Sequence, residues 1–227
     1  IYLEIKKGSF TSIIGESGSG KSTIVDLIMN FYQSNTGNIF IDDSNINYID
    51  KKDLRKNIGY VSQDSFIISG SINSNIAFGI RNEFINHKEV VRVAKIAEIH
   101  EYIYNLPDKY DTILSEQGVN LSGGQKQRIV LSRALYSNKK ILILDEATSN
   151  LDKSNEEKII SKILKHSREH NITVINVAHS LSSVIKSDQI IVMDQGKIIE
   201  IGNHKKLLNL NAHYSSLYNK YIDNKMK

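Results

Sequence analysis

Five short runs of β-branched and aliphatic residues stand out along the chain, each ending at a polar residue or a glycine. They are FTSII before Gly15, IGYVS before Gln63, ILIL before Asp145, ITVINVA before His179 and IIVMD before Gln195. Continuous apolar runs of this kind suit strands buried on both faces, and hence a mainly parallel sheet. Helix-like stretches alternate with them. STIVDLIMNFY follows the first run, SGGQKQRIVLSRALYS precedes the third and NEEKIISKILKHSRE precedes the fourth. Strand and helix patterns in alternation predict an α/β fold. One segment departs from this. Between about Ser69 and Asn120 no buried strand is expected, and NHKEVVRVAKIAEIHEYIYNL carries Val90, Val93, Ala94, Ala97 and Tyr102 at helical spacing until Pro107 stops it. The pattern predicts a helical lobe inserted into the α/β core.

Composition narrows the class. The 227 residues are 40% hydrophobic and 24% charged, as in soluble globular chains with ample length for a core. The longest apolar runs are four or five residues, far from the roughly 20 needed to cross a bilayer. No signal peptide is visible, and the first residue is not Met. The absence of cysteine fits a reducing compartment. The net charge of +4 is spread in small clusters such as Lys51–Lys52, Lys139–Lys140 and Lys205–Lys206, with no aromatic residues interleaved in a basic run. That is a solvated surface, and no nucleic-acid partner is expected.

The chemistry concentrates at the ends of the predicted strands. GESGSGKST, Gly15 to Thr23, fits G-x-x-x-x-G-K-[ST] between a strand and a helix, the context this motif requires. Its members Gly15, Glu16, Ser17, Gly18, Ser19, Gly20, Lys21, Ser22 and Thr23 form a candidate ATP-binding loop. Glycines let such a loop wrap phosphate with N–H groups pointing inward. Lys21 can reach the β- and γ-phosphates, and the Ser22 hydroxyl can ligate Mg²⁺. ILILDE ends a strand in Asp145 and Glu146. The first can hold magnesium through water, and the second can polarise an attacking water. Taken singly, Gln63 reads as a turn residue and His179 as a surface or core histidine. Together, these groups each follow the C-terminal end of a separate strand, the edge at which open parallel sheets bind ligands. A second glycine loop, LSGGQ at Leu121, Ser122, Gly123, Gly124 and Gln125, precedes a helix and offers another anion-binding start.

These motifs, in this order, resemble the nucleotide-binding domain of ABC transporters over nearly the whole chain. The resemblance implies Walker A at Gly15–Ser22, a Q-loop at Gln63, the signature at Leu121–Gln125 and Walker B at Ile141–Asp145. It also implies a catalytic Glu146, a D-loop at Ser149–Asp152 and a switch histidine at His179. Lys21, Gln63, Glu146 and His179 carry catalysis in that picture, and Ser22, Gln63 and Asp145 hold the metal, Asp145 through water. The implied fold is a P-loop NTPase α/β core, with a mainly parallel sheet, a small antiparallel β subdomain and an inserted helical subdomain. The core would occupy about 1–68 and 126–227, and the helical subdomain about 69–125.

LRKNIGYVSQDSFIISGSINSNIAFG and YDTILSEQGVNLSGGQ, with Glu116, resemble exporter-type domains. Ser115 stands where a glycine is usual, and Ser180 where an arginine often follows the histidine. The resemblance implies ATP and Mg²⁺ as ligands and a second such domain as partner, identical or not. Signature residues would contact ATP in trans, and Asp152 belongs to the D-loop. It further implies a transmembrane partner domain and a place on the cytoplasmic face of the cell membrane. The aromatic residue that stacks on adenine in the family is expected ahead of Ile1, with Tyr2 at a strand position as the candidate within the chain. This late start suggests a fragment of a longer polypeptide whose membrane-spanning part comes first. The competing class is a soluble ABC-type ATPase of DNA repair or translation. Such proteins usually carry a long coiled coil or a second cassette, and neither is seen here. An ordinary P-loop kinase has no use for LSGGQ.

Overall fold

In the computed structural model, the structure describes residues 1–64, 66–137, 139–178 and 180–223. In chain order the strands and helices are β1 (Phe10–Gly15), α1 (Lys21–Ile28), β2 (Phe40–Ile41), β3 (Ser44–Asn45), α2 (Lys51–Asn57), β4 (Ile58–Val61), β5 (Gly70–Ser71) and α3 (Ile72–Ile76). They continue with α4 (His87–Ile96), α5 (His100–Tyr104), β6 (Ile113–Leu114), α6 (Gly123–Leu135), β7 (Ile141–Asp145), α7 (Lys153–His170) and β8 (Thr173–Val177). The last are α8 (Leu181–Val184), β9 (Gln189–Asp194), β10 (Lys197–Gly202), α9 (His204–Leu210) and α10 (His213–Asp223). The chain divides into two compact units, Ile1–Asn57 with Thr173–Lys227, and Ile58–Ile172.

In the first unit, strands lie in the order β10-β9-β1-β8. β1 runs parallel to both neighbours, with Phe10 opposite Val174 and Thr11 opposite Gln189. Its residues Phe10, Ile13 and Ile14 are buried, as expected of a central strand covered on both faces. Ile14, Val184, Ile190, Val192, Leu207 and Tyr214 share one apolar cluster. A polar seam crosses the strands. Asn176 Nδ2 donates to Ser12 Oγ (3.1 Å) and Ser183 Oγ (3.2 Å), and Ser12 Oγ meets Ser187 Oγ at 2.7 Å. The buried polar side chains of this seam are thereby paired with one another.

Two elements here go beyond the sequence pattern. β10 is an antiparallel strand beside β9, with alternating rather than continuous burial. β2 and β3 form a two-residue antiparallel ladder. One expectation is corrected. Tyr2 is not in a strand: residues 1–6 make no ladder among the described residues, and Tyr2 is 91% exposed. Alternation at Leu3 and Ile5 half-buries those side chains, but no neighbour supplies the hydrogen bonds that make a strand.

In the second unit β4 and β7 pair in parallel, Ile58 opposite Ile141 and Val61 opposite Leu144. α6 lies directly on β4. A Cβ on Gly59 would come within 2.2 Å of the Ala134 carbonyl oxygen, so only glycine permits the approach. The helical segment differs from the single helix expected up to Pro107. It breaks into α4 and α5 around Glu98, whose φ is 56°. Tertiary contacts hold the break. The Glu98 carbonyl accepts Arg128 Nη1 (3.0 Å), and its carboxylate pairs with Lys162. Two strands of two residues each, β5 and β6, pair across the region where no strand was expected. Arg133 of α6 ties this region down, donating to Asn75 O (2.7 Å), Asn75 Oδ1 (3.0 Å) and Phe66 O (2.9 Å). Burial lowers its pKa to about 10.

Candidate functional site

The first unit carries the Gly15–Thr23 loop. It leaves the end of β1 and turns into α1, and its glycines are fixed by geometry. Gly15 has a φ of 155°, and a Cβ there would meet the Met193 carbonyl oxygen at 2.2 Å. Gly20 caps α1 in the left-handed region, with a φ of 98°. α1 has no side-chain cap and no acidic residue in its first turn. Its first N–H groups therefore face outward with the positive end of the helix dipole, as an anion site requires. Lys21 is 6% exposed, and its ammonium donates to the carbonyls of Gly15 and Glu16, both at 2.9 Å. The cation is folded onto its own loop. Ser19 contributes a buried hydroxyl with no hydrogen-bond partner among the described residues. Ser22 and Thr23 are exposed at the helix start.

The second unit carries Gln63, the signature segment, Asp145, Glu146 and Asp152. Because β4 and β7 are parallel and in register, Gln63 and Glu146 emerge at the same end of that pair. Gln63 Nε2 donates to Glu146 Oε2 at 3.0 Å, so the two side chains meet directly. Asp145 is buried as the last residue of β7. Glu146 has a φ of 52°, a left-handed conformation that a non-glycine residue holds only when its surroundings enforce it.

The signature loop is closed on itself. Ser122 Oγ accepts the Gln125 N–H (3.2 Å), and Gln125 Oε1 accepts the Ser122 N–H (2.8 Å), a complete capping box on α6. Gly123 and Gly124 have ordinary helical backbone, and their smallness serves packing. A Cβ on Gly124 would lie 3.2 Å from both the Asn150 carbonyl oxygen and Leu151 Cδ2. Asp152 caps α7 by accepting the Asn155 N–H at 3.0 Å, and this bond holds its pKa below the usual carboxylate value.

His179 lies outside the described residues. Sequence reasoning missed Gln127. This fully buried amide on α6 donates to the Glu146 carbonyl (3.1 Å) and Ser149 Oγ (3.4 Å), and accepts the Asn150 N–H (3.2 Å). A polar residue in an apolar helix face is only a weak sign of such a role.

Magnesium suits these donors. Among the described residues no cluster of three or more His, Cys, Asp or Glu forms a metal cage. Ser22, Gln63 and Asp145 each offer an oxygen donor (a hydroxyl, a carboxamide and a carboxylate) of the kind Mg²⁺ prefers.

The chain was compared with known proteins. A family model described as ABC transporter matches residues 1–149. An ATP-dependent lipid A-core flippase of Saccharophagus degradans is 43% identical over 220 residues, which cover 96% of this chain and 36% of the flippase. A lactococcin transport/processing ATP-binding protein, LcnC-like, of Lactococcus lactis is 45% identical over 96% of this chain and 30% of its own length. A solved bacterial Atm1-family ABC exporter with ATP bound superposes with a TM-score of 0.90 at 39% identity. That match covers 96% of this chain and 38% of the exporter chain. The chain thus spans about a third of the length of these relatives. No helix among the described residues is long and apolar enough to cross a membrane.

Proposed function

The chain belongs to the ABC transporter family, and from that premise we propose that it is the ATP-binding and ATP-hydrolysing motor domain of an exporter. The observation that carries the catalytic part is the Gln63–Glu146 hydrogen bond. It joins a carboxylate suited to activate water with the amide that would sense bound nucleotide.

The reaction is in-line attack of water on the γ-phosphate. The Gly15–Thr23 loop cradles the phosphates with its N–H groups. Lys21 leaves its loop carbonyls and pairs with the β- and γ-phosphates. Glu146 orients the water or takes its proton, and Gln63 holds that carboxylate until nucleotide arrives. His179 contacts the γ-phosphate. Mg²⁺, when bound, would neutralise phosphate charge, held by Ser22, Gln63 and, through water, Asp145. Most of the barrier reduction is positioning and electrostatics.

The domain reading assigns the α/β core to about 1–68 and 126–227, and the helical arm to about 69–125. Two copies, identical or not, pair head to tail around two ATP molecules. Ser122, Gly124 and the start of α6 cover the γ-phosphate held by the other copy's Gly15–Thr23 loop. A transmembrane domain is the second partner, at the cytoplasmic face of a membrane. The flippase and exporter names of the relatives and the 0.90 superposition on an ATP-bound exporter support the exporter reading on which this assembly is built.

Glu146→Gln tests the catalytic assignment. ATP binding should persist while turnover falls by about 10²-fold or more, the range for a lost general base. Turnover within a few-fold of the parent removes Glu146 from that role. Complementation tests the pairing. Lys21→Ala or Ser122→Arg alone damages both composite sites of a dimer. A mixture can place both lesions on one site and leave the other intact. In the Glu146→Gln background the mixture should form more ATP-dependent dimer on size exclusion than either variant alone. No gain, at concentrations where the parent pairs, rejects the shared site.

A further inference from the structure

We propose that Gln127 is a positioning residue for hydrolysis, a brace that links the signature loop to Glu146 and the segment after it. The proposal rests on the reading of Glu146 as the water-activating carboxylate.

Three hydrogen bonds of one buried amide go to a single short segment. Nε2 reaches the Glu146 carbonyl and Ser149 Oγ, and Oε1 takes the Asn150 N–H. The Glu146 carbonyl also accepts the Ser149 N–H at 3.1 Å, so two donors fix the peptide plane that follows Glu146. This matters because Glu146 sits at a φ of 52°. Left to itself, such a residue relaxes to a commoner backbone conformation and swings its side chain elsewhere. The carbonyl contacts keep the Cα–Cβ bond, and hence the carboxylate beside Gln63, pointed where it is.

The same amide sits on α6, whose first turn is the signature loop. Gly124 lies against the Asn150 carbonyl, and Gly123 lies against the Asn150 side chain. Asn150 therefore touches the signature glycines on one side and Gln127 on the other. A group that lands on Ser122–Gln125 and shifts the start of α6 acts on Asn150 through the glycines and on Glu146 through Gln127. The brace gives the signature loop a route to the carboxylate of its own copy, in addition to any contact it makes with a nucleotide held elsewhere.

Two variants of the full chain test this. Gln127→Met has similar volume and removes all three hydrogen bonds. Gln127→Glu keeps an oxygen for the Asn150 N–H and loses the donors to Glu146 and Ser149. Both should lower kcat by about 10- to 100-fold, the scale of misplacing a catalytic group. The ATP dissociation constant, measured by calorimetry, should change less than about threefold, as expected when ground-state binding is untouched. In the Glu146→Gln background either substitution should lower the residual turnover less than about threefold, since a brace for an absent carboxylate has nothing left to position.

In the nucleotide-free chain, amide exchange at Asn150 should quicken in Gln127→Met and stay near the parent's in Gln127→Glu. A general loss of packing would instead cut turnover by the same factor in both backgrounds. That result overturns the proposal, as does a kcat within about threefold of the parent in both variants. If Gln127→Met does not fold, Gln127→Glu decides alone, by its kcat and by the cycle with Glu146→Gln. Should Glu146→Gln itself keep near-parent turnover, the assignment of Glu146 is what fails. The Asn150 exchange rates then report separately whether the brace exists.

Discussion

Two glycine loops in this chain each lead into a helix, and they solve the same problem in opposite ways. At Gly15–Thr23 the helix start is left open. Gly20 occupies the cap position and supplies no side-chain cap, and a buried lysine rests on two carbonyls. At Leu121–Gln125 the start is closed, with Ser122 and Gln125 satisfying each other's backbone N–H groups and the glycines packed on Asn150. An uncapped helix end is poorly satisfied until an anion arrives, whereas a capping box satisfies itself. The first loop therefore has the geometry of a phosphate site within a single copy. The second is a structural cap that must share or release Ser122 before it can serve a phosphate. This difference offers a physical reason for a second loop to act only when two copies meet.

Nucleotide titration should separate the two loops by the largest margin. Lys21→Ala should weaken ATP binding by about 10- to 100-fold, from the roughly 1.5–3 kcal/mol of hydrogen bonds to charged groups. Ser122→Ala, titrated at concentrations too dilute for pairing, should shift affinity less than about twofold. Calorimetry reads both. An equal loss in the two variants would show that the signature loop already serves nucleotide in one copy.

Stability gives a smaller effect with the roles reversed. Ser122→Ala removes the cap and should cost about 1 kcal/mol, or roughly 2–4 °C in Tm for a chain of this size. α1 has no equivalent side-chain cap to lose. A melting temperature unchanged within 1 °C in Ser122→Ala would mean that the box contributes nothing to the fold.

The smallest effect separates the two signature glycines. An alanine at Gly123 meets its nearest atom at 3.7 Å, and should gain a few tenths of a kcal/mol from helix propensity. At Gly124 the contacts of 3.2 Å should cancel that gain or reverse it. Comparing the two melts checks the packing on Asn150, and equal shifts would argue against it.

Much of the site was legible because its signals are local. A strand followed by GESGSGKST, or ending in Asp-Glu, needs only neighbouring residues to be read. The five buried strands β1, β4, β7, β8 and β9 likewise announced themselves as continuous apolar runs. β10 was missed because its alternation is that of a half-covered antiparallel strand, and its place beside β9 is a tertiary fact. The break at Glu98 was missed for a related reason. VVRVAKIAEIHEYI is helical in pattern, and only Arg128 and Lys162, 30 and 64 residues further along, hold the left-handed turn.

By itself, then, the sequence determined the α/β class, the candidate phosphate loop and the chemical types at the strand ends, because each depends on spacing within a few residues. Tertiary structure alone decided three other things. It sets Glu146 at a positive φ beside Gln63, makes Gln127 a brace rather than a core amide, and gives Gly59 and Gly124 their roles as points of close backbone approach. Those properties arise where segments distant along the chain touch, and no local pattern of residues encodes which segments will do so.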